Sequence, residues 1–264
     1  MLTFLPPLKK VYKKAPVYFV ISGGGWHVES RHGILELTEV SAAELRNNGY
    51  AVVSIDYRVV TQKGVYIEDI ITDCFDALRY ISSRADVLEI DKNNITVYGH
   101  SAGGHLALMC GYCNGDMFKC PTSIDSDFKI TSVAALSPIT AIYGDYISQT
   151  LHIKDTDDIF ESDDVRESEG KRTSPITYVT KDLPPTFLGA GTSDRLVFSN
   201  SSEMLYDMLK ENNVTAELVL SIGGGHIFEQ VHKSFEPSVS MPQMQHMTAE
   251  FVLNATKDLS EKIV

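Results

Sequence analysis

The feature that most constrains this chain is a five-residue run, Gly99-His100-Ser101-Ala102-Gly103. It is wedged between a β-branched stretch, Ile95 to Gly99 (ITVYG), and Ala102 to Cys113, which is rich in small and apolar residues. A strand that turns into a helix across G-x-S-x-G holds its serine at the tip of a sharp, strained bend. Glycines flank the serine because side chains there would strike the neighbouring strand and helix. The following helix aims its N-terminal N–H groups and its dipole at the point where negative charge develops in attack by the hydroxyl. The motif is short enough to arise by chance, but its place between a strand and an apolar helix marks Ser101 as a nucleophile.

The rest of the chain repeats the alternation that such a bend needs. Val17 to Ser22 (VYFVIS), Tyr50 to Tyr57, Ser132 to Ile139, Pro185 to Ala190 and Ala216 to Ile222 read as strands. Leu35 to Asn48 has helical periodicity and stops at Gly49, a suitable C-cap. Ile67, Ile70, Ile71, Cys74, Leu78 and Ile81 fall at three- and four-residue spacing, so Glu68 to Arg84 is an amphipathic helix. Asn200 to Asn212 and Met241 to Lys257 complete the helices. This rhythm predicts an α/β chain: a mostly parallel sheet with helices on both faces and a ligand site at the carboxyl ends of the strands. A length of 264 residues with 43% hydrophobic content suits one domain over 1–264. One stretch breaks the pattern. Residues 141–172, between two core strands, carry Asp155, Asp157, Asp158, Glu161, Asp163, Asp164, Glu167 and Glu169. This insertion reads either as a small lid or as a solvated acidic loop.

A serine hydroxyl attacks only when a base removes its proton. On a bend of this type, the acid and then the histidine follow the serine in the chain. Asp194 comes after the strand PTFLGA, in Gly191-Thr192-Ser193-Asp194, and His226 ends Gly223-Gly224-Gly225-His226 after ELVLSI. Either residue alone would pass as a turn or loop residue. Both fall at carboxyl ends of strands, on the rim expected for Ser101, so they are the predicted orienting acid and general base. His105, His232 and His246 suit the role of base less well by position. Another glycine run, Ser22-Gly23-Gly24-Gly25-Trp26, follows the first clear strand. It lacks the Lys-Ser/Thr and the G-x-G-x-x-G of phosphate loops. Its predicted use is an oxyanion hole, with Gly23 and Gly24 N–H joining that of Ala102. Trp26, His27 and His100 are candidate substrate contacts, with core packing the alternative for Trp26.

These residues together resemble the esterase/lipase branch of the α/β-hydrolase superfamily, in particular hormone-sensitive-lipase-like esterases and the bacterial carbohydrate-ester and feruloyl-esterase-like group. The similarity runs from about Val17 onward. It includes SGGGW at Ser22 to Trp26, DYR at Asp56 to Arg58, IEDIITDCFDALRYI, GHSAGGHLA at Gly99 to Ala107, SPI at Ser174 to Ile176, and LPPTFLGAGTSDRLV at Leu183 to Val197. The resemblance implies an α/β-hydrolase fold, a Ser101–His226–Asp194 triad and oxyanion donors at Gly23, Gly24 and Ala102. The chain departs from the pattern in two places. The family usually carries histidine before the glycines, where it braces the oxyanion loop; here Ser22 stands there. Little chain precedes the first core strand, so the family's leading antiparallel strands are expected to shrink to something within Leu2 to Tyr12, with about six to eight strands in all.

The expected chemistry is hydrolysis of short-acyl carboxylic esters through a covalent acyl-enzyme, with acetylated or feruloylated sugars suggested by resemblance alone. Aryl formamidase, sugar-ester deacetylase and peptidase activities are alternatives on the same machinery, because pocket shape decides among them. A binding protein without catalysis is a further alternative; such proteins often lose a triad member. No cofactor and no metal are expected. The Cys110-x-x-Cys113 pair lacks the second ligand pair that a zinc site needs, so Cys74, Cys110, Cys113 and Cys120 read as reduced thiols. A formal charge of -12 argues against nucleic acid and anionic membrane surfaces as partners. No apolar run approaches the roughly 18 residues of a membrane span. Pro6 and Pro7 interrupt the apolar start, which places the chain in the cytoplasm as an expectation. A homodimer is suggested by resemblance.

Overall fold

A computed structural model describes residues 1–151 and 158–263. Seven strands form one sheet: β1 Leu2–Leu5, β2 Ala15–Ile21, β3 Ala51–Ile55, β4 Ile90–His100, β5 Ile130–Leu136, β6 Thr186–Gly191 and β7 Ala216–Ser221. Their order is β1-β3-β2-β4-β5-β6-β7. Only β1 runs antiparallel, pairing with β3, and every other neighbouring pair is parallel. The leading antiparallel strands are thus reduced to one edge strand inside the expected stretch, and the strand count falls within the expected range.

Side-chain alternation on the strands builds two cores, one on each face. Val17, Phe19, Ile21, Val53, Ile55, Val97, Val133 and Ala135 pack toward α3 Ile67–Ser83, α4 Ala102–Tyr112 and α7 Ser199–Glu211. The intervening Tyr18, Val20, Val52, Tyr98, Ala134 and Leu136 face α1 Arg31–Leu37, α2 Glu39–Asn47 and α8 Met241–Thr256. Buried parallel strands need apolar residues on both faces, which is why they read as continuous hydrophobic runs. The single helix expected over Leu35 to Asn48 is two, broken at Thr38, whose hydroxyl donates to the Ile34 carbonyl oxygen at 2.7 Å. Such back-bonding bends helices.

The topology itself locates a crevice. The chain leaves central β2 for β3 on one side and returns to β4 on the other. Ligands of open α/β sheets sit outside the carboxyl ends of strands where the order reverses in this way. Between β5 and β6, the insertion carries two helices, α5 Tyr146–Thr150 and α6 Asp163–Arg172. Asp155 and Asp157 lie outside the described residues. All four cysteines are free thiols. No helix among the described residues is long and apolar enough to cross a membrane.

Candidate active site

Register brings the first two loops together. Ile21 of β2 pairs with Gly99 of β4, so Gly23 and Ser101 lie equally far past the sheet edge. Ser101 has φ 58° and ψ -123°, a backbone conformation that L-residues avoid. Its N–H donates to the Leu136 carbonyl oxygen of β5 at 2.8 Å, and its own carbonyl accepts from His105 N–H at 3.0 Å. The motif glycines are obligatory for space. A Cβ on Gly99 would stand 2.0 Å from the Gly103 carbonyl oxygen, and one on Gly103 2.2 Å from that of Ile21.

The loop after β2 passes directly over this bend. A Cβ on Gly23 would lie 2.7 Å from the His100 carbonyl oxygen and 3.3 Å from Ser101 Cβ. Gly24, Gly25 and Trp26 follow with φ of 116°, 62° and 64°. Left-handed backbone at a tryptophan costs on the order of 1–2 kcal/mol, so its surroundings must impose it. Among the described residues, the N–H groups of Gly23, Gly24 and Ala102 donate to no protein acceptor. Ser22 stands where a bracing histidine was expected. It is buried, and its Oγ accepts from Ser30 N–H at 3.1 Å. The larger brace is Tyr57, whose hydroxyl donates to the carbonyl oxygens of Ser22 at 2.9 Å and Gly23 at 3.3 Å. Burial pushes the Tyr57 phenol well up, so it stays a donor at any working pH. Sequence reasoning missed this role, although DYR was part of the resemblance.

The last two loops meet each other and then the bend. His226 Nδ1–H donates to Asp194 Oδ2 at 2.7 Å. Asp194 Oδ1 accepts from the N–H groups of Leu196 at 2.8 Å and Val197 at 3.1 Å, and the carboxylate is fully buried. A buried carboxylate needs such donors to offset the loss of water. In the neutral ring this contact places the proton on Nδ1 and leaves Nε2 as the acceptor. The backbone of His226 is pinned beside the serine bend: its carbonyl oxygen accepts from His100 Nε2–H at 2.8 Å and from Ser137 Oγ at 3.0 Å. The His226 and His100 rings meet at 4.7 Å between centroids, and His100 is the residue before Ser101. Ser137, at φ 44°, went unnoticed in the sequence because a serine after a strand carries no signal of its own. Burial, followed by the charge of His226, lowers the pKa of His100 to about 4, so it stays a neutral donor. No hydrogen bond joins Ser101 Oγ to His226 Nε2 among the described residues.

The candidate substrate contacts separate. His100 lines an open cleft of 380 Å³ together with Gly23, Gly24, Val28, Ile34 and Leu37. Trp26 belongs to the core instead, 2% exposed, with its ring edge-on to His105 at 5.3 Å. His27 faces the insertion: its Nε2 lies 2.8 Å from Asp158 Oδ2 and its Nδ1 2.6 Å from the Gly25 carbonyl oxygen. The insertion is also tied to α3, with Ile67 N–H donating to the Ile159 carbonyl oxygen, and to the loop after Asp194, where Leu151 bridges Val197. Among the described residues, no group of three or more His, Cys, Asp or Glu side chains is arranged to hold a metal ion.

A family profile described as BD-FAE matches residues 3–209. Esterase LipC of Mycobacterium tuberculosis is 26% identical over 233 residues, covering 82% of this chain and 54% of that protein. A probable isoprenylcysteine alpha-carbonyl methylesterase, ICMEL1 of Oryza sativa subsp. japonica, is 28% identical over 227 residues, 80% of this chain and 50% of its own. The chain therefore spans about half the length of these curated relatives. The propionate-bound structure of the esterase Est2 from Thermogutta terrifontis superposes with a TM-score of 0.77 at 21% identity, covering 96% of this chain and 88% of that one. The seven-stranded sheet with its flanking helices is an α/β-hydrolase fold.

Proposed function

The chain belongs to the BD-FAE family, and from that premise we propose that it is a serine carboxylic-ester hydrolase working through Ser101, His226 and Asp194. The observation that carries this reading is the Asp194–His226 pair, 2.7 Å apart and anchored on His100 and Ser137 beside the strained serine. In the reaction, Ser101 Oγ bonds to the ester carbonyl carbon while its proton passes to His226 Nε2. The carbonyl oxygen takes the electron pair and rests on the N–H groups of Gly23, Gly24 and Ala102, which the protein leaves otherwise undirected. Asp194 stabilises the imidazolium. Collapse of the tetrahedral species breaks the bond to the alcohol oxygen, which takes the proton from His226. Water, deprotonated by the same Nε2, then repeats the sequence on the acyl-enzyme and frees the acid.

Two features support a small substrate. The cleft beside Gly23 and His100 is modest and mixes apolar Val28, Ile34 and Leu37 with polar Ser22, Glu29 and Ser30. Pockets of this scale, roughly 300–1,000 Å³, hold small molecules. A short acyl group with a hydroxyl-bearing alcohol suits that lining, so acetylated or feruloylated sugars stay within the proposal. Residues 141–172 would act as a partial lid, supported by the ties of Asp158 to His27 and of Leu151 to Val197. The test is labelling with a fluorophosphonate, which reacts only with an activated serine. The chain should label at Ser101 and the Ser101→Ala variant should not. A folded wild-type chain that resists the probe and turns over no ester would reject the reading.

A further inference from the structure

Among the described residues, four buried side-chain polar atoms have no protein partner, and two of them belong to rings in contact with each other: Trp26 Nε1 and His105 Nδ1. Buried polar groups are rarely left so, and each such case asks for a reason. His105 is fully buried one helical turn after Ser101. Its Nε2 is 2.6 Å from the carbonyl oxygen of Thr173, at the exit of the insertion. A carbonyl can only accept, so the ring proton sits on Nε2 and Nδ1 is left as an acceptor. Indole Nε1–H is a donor only. The two unpaired atoms are thus complementary, and their rings meet edge to face at 5.3 Å and 89°.

We infer that His105 is a positioning residue that fixes the indole of Trp26 and, through it, the left-handed turn Gly24-Gly25-Trp26, which carries the Gly24 donor and adjoins that of Gly23. This rests on the reading of the site proposed above. His105 joins three parts of the site. Its N–H is bonded to the Ser101 carbonyl, its Nε2 to the end of the insertion, and its ring meets that of Trp26 at a right angle. Trp26 needs such a partner. Its backbone is in a conformation that tryptophan does not adopt by preference, and among the described residues its one main-chain hydrogen bond is at its carbonyl oxygen, which accepts from Val60 N–H at 3.0 Å. Burial holds the imidazole neutral, with its pKa lowered to about 4, so Nδ1 remains an acceptor through the neutral range.

Trp26 is the only tryptophan in the chain, so its emission, and the indole dichroism at wavelengths beyond tyrosine absorption, report the surroundings of this one ring. The experiment compares wild type with H105L and H105Q, using p-nitrophenyl acetate kinetics and both spectra. The expected result for H105L is a folded protein with kcat lowered at least ~10-fold, KM within ~3-fold, and altered indole signals, in line with loss of transition-state stabilisation alone. Glutamine, which offers a donor to Thr173 and an acceptor toward Trp26, should recover part of kcat and of the spectrum. Wild-type kcat in folded H105L, or unmoved indole signals, would overturn the inference. If H105L does not fold, H105Q and W26F carry the test, and kcat equal to wild type in both overturns it. Failure of the esterase reading is separable, because it appears as absent fluorophosphonate labelling in wild type while the indole signals still respond to H105Q.

Discussion

Gly23 and Ser101 lie so close that a single methyl group on Gly23 would stand 3.3 Å from Ser101 Cβ and 2.7 Å from the carbonyl oxygen of His100. The glycine loop after β2 therefore occupies a fixed place over the serine, set by the pairing of Ile21 with Gly99. If the Gly23 and Gly24 N–H groups take the oxyanion as proposed, donors held at that place would need no rearrangement when charge develops, which is usually the largest single contribution to rate.

Space between β2 and α4 makes the first prediction. A Cβ at Gly103 would lie 2.2 Å from the Ile21 carbonyl oxygen and 2.6 Å from that of Ser22. Both contacts are backbone, which cannot swing aside. Gly103→Ala should cost several kcal/mol, and each kcal/mol lowers Tm by roughly 2–4 °C in a chain of this size. Gly64→Ala is the comparison: its φ of +75° brings strain but nothing lies within 4 Å, so about 1 kcal/mol is expected. Thermal melts of the two variants check this, and equal melting points would contradict it.

The tautomer of His226 depends on Asp194. Asparagine can turn its amide nitrogen toward Nδ1, which moves the ring proton to Nε2 and leaves no base for Ser101. Asp194→Asn should keep the fold and lower kcat about 10⁴-fold, the scale seen when an orienting carboxylate is amidated. Steady-state kinetics on p-nitrophenyl acetate would show it. A loss under tenfold would assign Asp194 a structural role.

Tyr57 holds the carbonyls behind the donors. Tyr57→Phe leaves the Ser22 carbonyl without its 2.9 Å bond, a buried loss of about 1–3 kcal/mol. Melting should move down, and kcat should fall roughly tenfold, the equivalent of about 1.4 kcal/mol, with KM little changed. A variant with normal kcat would separate the brace from the oxyanion loop.

Acid should weaken the fold through two buried histidines, His100 at the end of β4 and His105 in α4. The pKa values of His100 and His105 are lowered to about 4 by burial in the folded chain, against 6.5 for the free side chain. Between those values the unfolded chain binds protons that the folded chain refuses. These two groups therefore leave stability unchanged above about pH 7 and reduce it as pH falls from 6.5 toward 4. The loss approaches about 3 kcal/mol per histidine at the lower end. Denaturant midpoints at pH 7, 5.5 and 4 measure the slope, and His105→Gln should make it shallower. An identical slope in that variant would show that His105 does not titrate in this way.

The sequence determined the parts whose meaning is local. The bend at Ser101 was legible because glycine, serine and glycine between an apolar strand and an apolar helix admit few conformations. Asp194 and His226 were legible by chain order and by their place just past predicted strands. The alternation of apolar residues dictated a sheet covered on both faces. What the tertiary structure decided were the contacts that depend on strand register and on which loop reaches over which. Tyr57 became the brace that Ser22 cannot be, because β3 ends beside β2. Ser137 and His100 came to hold the His226 carbonyl because β5 lies next to β4. Trp26 went to the core against His105, and His27 to Asp158, since the left-handed turn points the two side chains apart. Those pairings join residues tens to more than a hundred positions apart, and no pattern within either segment encodes a partner at that separation.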